Sequence, residues 1–100
     1  AVTMIPTPGH TPGHCSLLIA SKGEHLVITG DAAPHPLSLE RHDWVATFDL
    51  DRDESKRSLQ KLSALAVEKD ATVTGGHFPI LTLGKLRRVE GVYRWEDIAT

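Results

Sequence analysis

The sequence predicts an α/β domain of the α+β type, with mainly antiparallel strands and one long helix. Two apolar runs at 15–20 and 25–29 flank the polar, glycine-containing Ser21-Lys22-Gly23-Glu24, which is the pattern of a β-hairpin. Leu59, Leu62, Leu65 and Ala66 recur at helical spacing. The chain has 100 residues, 40% hydrophobic and 24% charged, which bounds it to one ordinary globular domain with a modest core.

In chain order, residues 2–5 read as the end of a strand, because Pro6, Pro8 and Gly9 stop a regular ladder directly afterwards. A loop follows to about His14, and then the hairpin. From Gly30 to about Leu50 the sequence is irregular, with Pro34 and Pro36. An irregular stretch of that length in a compact domain is usually functional or mobile. Asp51 followed by Glu54 resembles a capping box and starts a helix over about 53–69. At about 1.5 Å per residue this helix is about 25 Å long, with Lys56, Arg57, Lys61 and Glu68 on its wet side. A short strand over 71–74 ends at Gly75-Gly76, and a last strand covers 91–95.

Composition removes several classes of function. Lys+Arg 11 against Asp+Glu 13, a formal charge of −2, argues against nucleic acid or an anionic membrane as the partner, and Lys85-Leu86-Arg87-Arg88 is too short a basic group to alter that. No apolar run is long enough to span a membrane, and the first residues lack a signal-peptide pattern. The single cysteine, Cys15, excludes an internal disulfide framework and fits a reducing compartment, with the cytoplasm as the expected location. Cys15 lacks a visible base and reads as a small strand hydrophobe. The start at Ala1 suggests a trimmed or partial chain.

Chemistry concentrates at three strand ends. The tandem repeat Thr7-Pro8-Gly9-His10, Thr11-Pro12-Gly13-His14 spaces two histidines four apart, but its prolines and glycines forbid a helix, so both histidines come from a turn-rich loop. Taken alone, His10 reads either as a metal ligand or as a solvated loop histidine. Val27-Ile28-Thr29-Gly30-Asp31 delivers an acid just past a strand, and Ala71-Thr72-Val73-Thr74-Gly75-Gly76-His77 repeats the device with a histidine. Imidazole and carboxylate are donors that zinc-like ions accept. Equally, Asp31 reads as a turn-capping acid and His77 as a capping histidine beside Pro79. His35 is a substrate contact or a plain loop histidine, Trp44 and Phe48 line a pocket or anchor the loop, and His25 and His42 read as surface residues.

In this order the motifs Thr7 to His14, Thr29-Gly30-Asp31 and Gly75-Gly76-His77-Phe78-Pro79 resemble the later metal-binding motifs of the metallo-β-lactamase-fold hydrolases. Phe48-Asp49-Leu50-Asp51 and Gly91-Val92-Tyr93-Arg94-Trp95 are similar to the branch that contains methyl parathion hydrolase and lactonase-like enzymes. The resemblance covers nearly the whole chain but only the second half of the family's domain. It implies the C-terminal half of an αββα sandwich, with His10 on one metal, Asp31 bridging two and His77 on the other. Zinc is the expected metal, two per complete site, with manganese or iron as alternatives.

The same resemblance implies that metal-activated hydroxide, oriented by Asp31, attacks an ester-like, lactone or phosphotriester bond of a small molecule. Thr11 and His14 would hold the ligand loop, with His14 as a direct ligand the alternative, and His35 would lie near substrate. The family's opening cluster, His-x-His-x-Asp-His, does not occur in these 100 residues. The resemblance therefore implies a partial domain, inactive alone, whose exposed sheet face takes the missing N-terminal half or a second copy of the chain. Two further readings stay open: a non-catalytic half-fold that binds or dimerises, and a mononuclear iron site of His10, Asp31 and His77.

Overall fold

The structure is a computed structural model that describes residues 1–33, 35–42, 51–75, 78 and 82–99. Six strands, β1 (Val2–Pro6), β2 (Cys15–Ser21), β3 (Glu24–Ile28), β4 (Thr72–Thr74), β5 (Leu83–Val89) and β6 (Val92–Ala99), lie side by side in sequence order in one sheet. Every neighbouring pair is antiparallel except β3 and β4, which run parallel. A parallel pair needs a long crossover, and the segment between β3 and β4 carries the helix α1 (Arg52–Glu68).

Local chemistry explains the elements. The β2–β3 register pairs Ser21 with Glu24, so Lys22 and Gly23 form a two-residue turn, and both have positive φ, 52° and 81°. That is the geometry whose twist matches a right-handed hairpin. Glu90 and Gly91 repeat it between β5 and β6, at 53° and 79°. Helix α1 starts where Asp51 Oδ1 accepts from the Glu54 N–H at 3.0 Å, as the sequence pattern predicts. It stops in a Schellman turn, with the Ala71 N–H on the Ala66 carbonyl at 3.0 Å and Asp70 left-handed at φ 48°.

Strand β5 is absent from the sequence expectation, and β6 runs further than the predicted 91–95. Residues 85–88 read as a basic group because their charge hides the alternation: Leu86 is buried, whereas Arg87 and Arg88 are exposed. Their charges are answered locally, Lys85 and Arg87 by Asp70 at 3.2 and 2.9 Å, and Arg88 by the Tyr93 ring.

The core lies on one face of the sheet, where Val27, Val73 and Leu86 meet Leu59, Leu62 and Ala66 of α1. Leu39, in a 3-10 turn over Pro36–Leu39, and Phe78, edge-on to Trp95 with ring centres 5.7 Å apart, extend it. His42 is half-buried here, which corrects its reading as a surface residue. Its Nε2 is 2.9 Å from Ser63 Oγ and 3.1 Å from the Leu39 carbonyl, and the Ser63 hydroxyl donates to that same carbonyl. Of these partners Ser63 is 21 residues away, beyond the reach of local sequence rules.

Strand alternation puts Leu17, Ile19, Leu26 and Ile28 on the opposite face, continued by Val2 and Met4, which are 64% and 67% exposed. Among the described residues no helix is long and apolar enough to cross a membrane.

Candidate metal site

The loop between β1 and β2 is laid against α1 through its own carbonyls. Lys61 Nζ donates to the Pro6 carbonyl and Ser58 Oγ to the Pro8 carbonyl, each at 2.7 Å, and the Asp51 N–H donates to the Gly9 carbonyl at 3.0 Å. Small helix residues permit the approach. A Cβ on Gly9 would overlap Ser55 Oγ, N and Cα, and Gly9 has φ 140°, so only glycine fits. This clamp presents His10, the next residue.

Asp31 arrives from the end of β3. His10 Nε2 and Asp31 Oδ2 stand 3.7 Å apart, with side chains 22% and 44% exposed. Zinc bonds imidazole nitrogen and carboxylate oxygen at about 2.0–2.2 Å, so a single divalent ion can reach both atoms across that gap. The donor types and their separation fit the ion that the sequence resemblance implies. Among the described residues no group of three or more His, Cys, Asp or Glu side chains gathers here. His77, the third expected ligand, lies outside the described residues, as do Trp44 and Phe48.

His14 occupies the space behind this pair. Its ring stands edge-on to that of His10, 6.1 Å between centres. Its Nε2 lies 3.0 Å from the backbone nitrogen of Asp31, and its Nδ1 lies 2.9 Å from Thr7 Oγ1. Thr7 Oγ1 in turn is 2.9 Å from Ser16 Oγ, which donates to the Thr29 carbonyl at 3.0 Å. Thr7, Ser16 and Thr29 are fully buried. Gly30 lies under the ring: its φ is 61° and a Cβ would sit 3.0 Å from His14 Nε2.

The remaining predicted residues have local roles. The Thr11 carbonyl accepts from the N–H groups of Gly9 and His14, at 3.1 and 3.3 Å, so Thr11 shapes the loop through its backbone. His35 is exposed, and its Nδ1 accepts from the Leu37 N–H at 3.1 Å, capping the 3-10 turn. Sequence reasoning missed Thr7, Ser16, Ser58 and Lys61. Ser16 carried a signal, being a polar residue at an inward position of an apolar strand run. A cavity of about 580 Å³ opens at the far end of the sheet, beside Ile19, Leu26, Lys69 and Asp70, away from His10 and Asp31.

Residues 2–77 match the family model of the metallo-β-lactamase superfamily. The chain belongs to that superfamily. Within it, the chain is 40% identical over 79 residues to the N-acyl homoserine lactonase AttM of Rhizobium radiobacter, a match covering 78% of this chain and 30% of that lactonase. The solved hydrolase AbOPH of the β-lactamase superfamily superposes with a TM-score of 0.86 at 28% identity, over 97% of this chain and 34% of its own. An N-acyl homoserine lactone hydrolase, solved with the product N-hexanoyl-L-homoserine at its catalytic metal centre, superposes with a TM-score of 0.68 at 27% identity, over 77% of this chain and 30% of its own. This metallo-β-lactamase chain therefore spans about a third of the length of the relatives it matches.

Proposed function

We infer that the chain is the C-terminal portion of a metal-dependent hydrolase that opens lactones or related ester-like or phosphotriester bonds in small molecules. The observation that carries this reading is the convergence of His10 and Asp31, from two different strand ends, to 3.7 Å on a metallo-β-lactamase scaffold. The relatives named as N-acyl homoserine lactonases favour the lactone among these bonds.

His10 and Asp31 would hold the metal with His77, and the described donors suit zinc, with manganese or iron also accepted by nitrogen and oxygen ligands. Divalent ions supply Lewis acidity toward the carbonyl or phosphoryl oxygen and acidify bound water. The chain's own residues keep the site in shape: the α1 clamp fixes the backbone before His10, and the carbonyl of Thr11 closes the loop after it. Asp31, with 44% of its side chain exposed, is accessible to a second ion as well as to the one it shares with His10. An upstream segment with the His-x-His-x-Asp-His cluster would complete the ligand set and cover the open sheet face. The 100 residues then count as one partial domain, and the lone cysteine supports a cytoplasmic location.

A second reading, a non-catalytic half-fold that pairs with a second copy of the chain, is favoured by the exposure of Val2 and Met4. The test is metal content by elemental mass spectrometry, oligomeric mass by light scattering, and hydrolysis of an N-acyl homoserine lactone with the upstream segment supplied in trans. Bound zinc and a turnover that His10→Ala and His77→Ala both abolish are expected. Full turnover in His77→Ala would overturn the ligand assignment, and a metal-free, inactive dimer would select the second reading.

A further inference from the structure

We propose that His14 is a positioning residue, a neutral Nδ1-protonated imidazole that fixes the Asp31 peptide through a one-directional chain of hydrogen bonds and does not itself ligate the metal. The two ends of the chain set its direction. The Asp31 N–H only donates, so His14 Nε2, 3.0 Å away, accepts and carries no proton. A neutral ring with a bare Nε2 has its proton on Nδ1, and that proton goes to Thr7 Oγ1 at 2.9 Å. At the other end the Thr29 carbonyl only accepts, so the Ser16 hydroxyl donates to it. Ser16 Oγ must then accept from the Thr7 hydroxyl. Each of the three groups between the ends, His14, Thr7 and Ser16, gives one proton and receives one, and no two donors or acceptors oppose each other.

This closed assignment distinguishes His14 from His10, although the two end identical tetrapeptides. A histidine binds metal through a bare nitrogen, and the bare nitrogen of His14 is engaged by the Asp31 peptide. The chain is also dry, since Thr7, Ser16 and Thr29 are 1%, 1% and 0% exposed, so water cannot replace a lost member. Its anchor is fixed to the sheet: the Thr29 N–H donates to the Thr74 carbonyl at 2.9 Å, tying the end of β3 to β4. Gly30, with no side chain, lets the ring press against the peptide that leads into Asp31. The carboxylate of Asp31 is thereby referenced to β2, β3 and β4 together, which is how outer partners hold a ligand at its working attitude. The consequence for a divalent cation rests on the metal reading given above; the tautomer of His14 does not.

Two measurements on the 100-residue chain test this. Long-range proton–nitrogen NMR on the histidine rings is expected to show His14 protonated at Nδ1 and bare at Nε2, unchanged in pattern when zinc is added while the His10 ring signals move. A proton on Nε2, or zinc bound at His14, would overturn the proposal. His14→Gln and His14→Asn then separate the two halves of the ring, because the glutamine oxygen reaches the Nε2 position and the shorter asparagine amide serves only Thr7. Zinc affinity is expected to fall by no more than about threefold in H14Q and by at least about tenfold in H14N, the range for losing a partner of a metal ligand. Equal losses would mean that His14 acts only on folding and would overturn the positioning role. If zinc does not bind the 100-residue chain without the upstream ligands, exchange of the Asp31 amide proton decides instead: about tenfold faster in H14N than in H14Q if His14 fixes that peptide, equal if it does not.

Discussion

Gly30 and Ser16 are the residues on which the site's geometry depends without their touching a ligand. Gly30→Ala places a Cβ 3.0 Å from His14 Nε2 in a backbone at φ 61°. The left-handed conformation alone costs a non-glycine residue about 1–2 kcal/mol, and the ring must also move off the Asp31 peptide. Urea unfolding is expected to show that loss of stability, and zinc titration a weaker ion. A variant as stable as the parent would mean the turn is not held as described. Ser16→Ala removes one of two partners from each of two buried groups, leaving the Thr29 carbonyl with the Ala32 N–H at 3.2 Å and the Thr7 hydroxyl oxygen with His14 Nδ1 at 2.9 Å, an expected cost of about 1 kcal/mol in the same unfolding measurement. Sequence reasoning could place His10 and Asp31 just past strand ends because glycine and proline punctuate those ends. The repeat by itself does not separate His10 from His14, since both follow Thr-Pro-Gly; the resemblance made His10 the ligand and His14 a support, and the fold shows which ring faces the acid's carboxylate and which its peptide.

Helix α1 serves as a platform at its start and an electrostatic anchor at its end. Its stripe of Leu59, Leu62 and Ala66 was legible from spacing, and so was the Asp51 cap. The buried serines of its first turns were not, because Ser55 and Ser58 answer a loop some fifty residues earlier: Ser58 bonds the Pro8 carbonyl across a separation of 50. Gly9→Ala is expected to cost about 2–5 kcal/mol, the sum of backbone strain and overpacking against the Ser55 backbone, and to displace His10. Thermal unfolding with a parallel zinc titration checks both effects; an unchanged zinc affinity would show that the clamp does not set His10.

At the other end of the helix, hydrogen bonds from Lys85 and then Arg87 hold the Asp70 carboxyl below its ordinary value. A carboxyl with a lowered folded value contributes stability above the unfolded pKa of about 3.9 and loses it as pH falls through the folded one. Asp70→Asn is therefore expected to flatten the acid side of the stability curve below about pH 4, as is added salt, because these groups are exposed. An acid limb as steep as the parent's would remove Asp70 from the account. The same cross-strand charges explain why β5 was illegible: a strand that pairs its cations with Asp70 and Glu96 shows a basic run, not an alternation.

Across the whole molecule the sheet is covered on one face and open on the other. The covered face was readable from the helix stripe and the hairpin, whereas the parallel β3–β4 pairing joins segments too far apart, and a β4 too short, for periodicity to reveal. The open face carries Leu17, Ile19, Leu26 and Ile28 in register with the exposed Val2 and Met4 on the edge strand β1. An apolar sheet face beside an unpaired edge favours association with another layer. His10 and Asp31 leave from the ends of strands that border this face, so a layer packed there brings its own loops toward the same end of the sheet, where, on the metal reading proposed above, His10 and Asp31 would need further ligands. Alone, the chain is expected to associate with rising concentration in sedimentation velocity. Covering a methionine side chain contributes about 1.5–3 kcal/mol, so Met4→Lys is expected to weaken that association by at least about tenfold while leaving the α1-side core and its unfolding midpoint nearly unchanged. An upstream segment that carries the second layer should compete with this self-association, and should do so less well against the Met4→Lys chain. If the parent chain stays monomeric at high concentration and the segment binds both chains alike, the open face is not the surface that takes a second layer, and the further ligands that the proposed metal site requires would reach His10 and Asp31 from another direction.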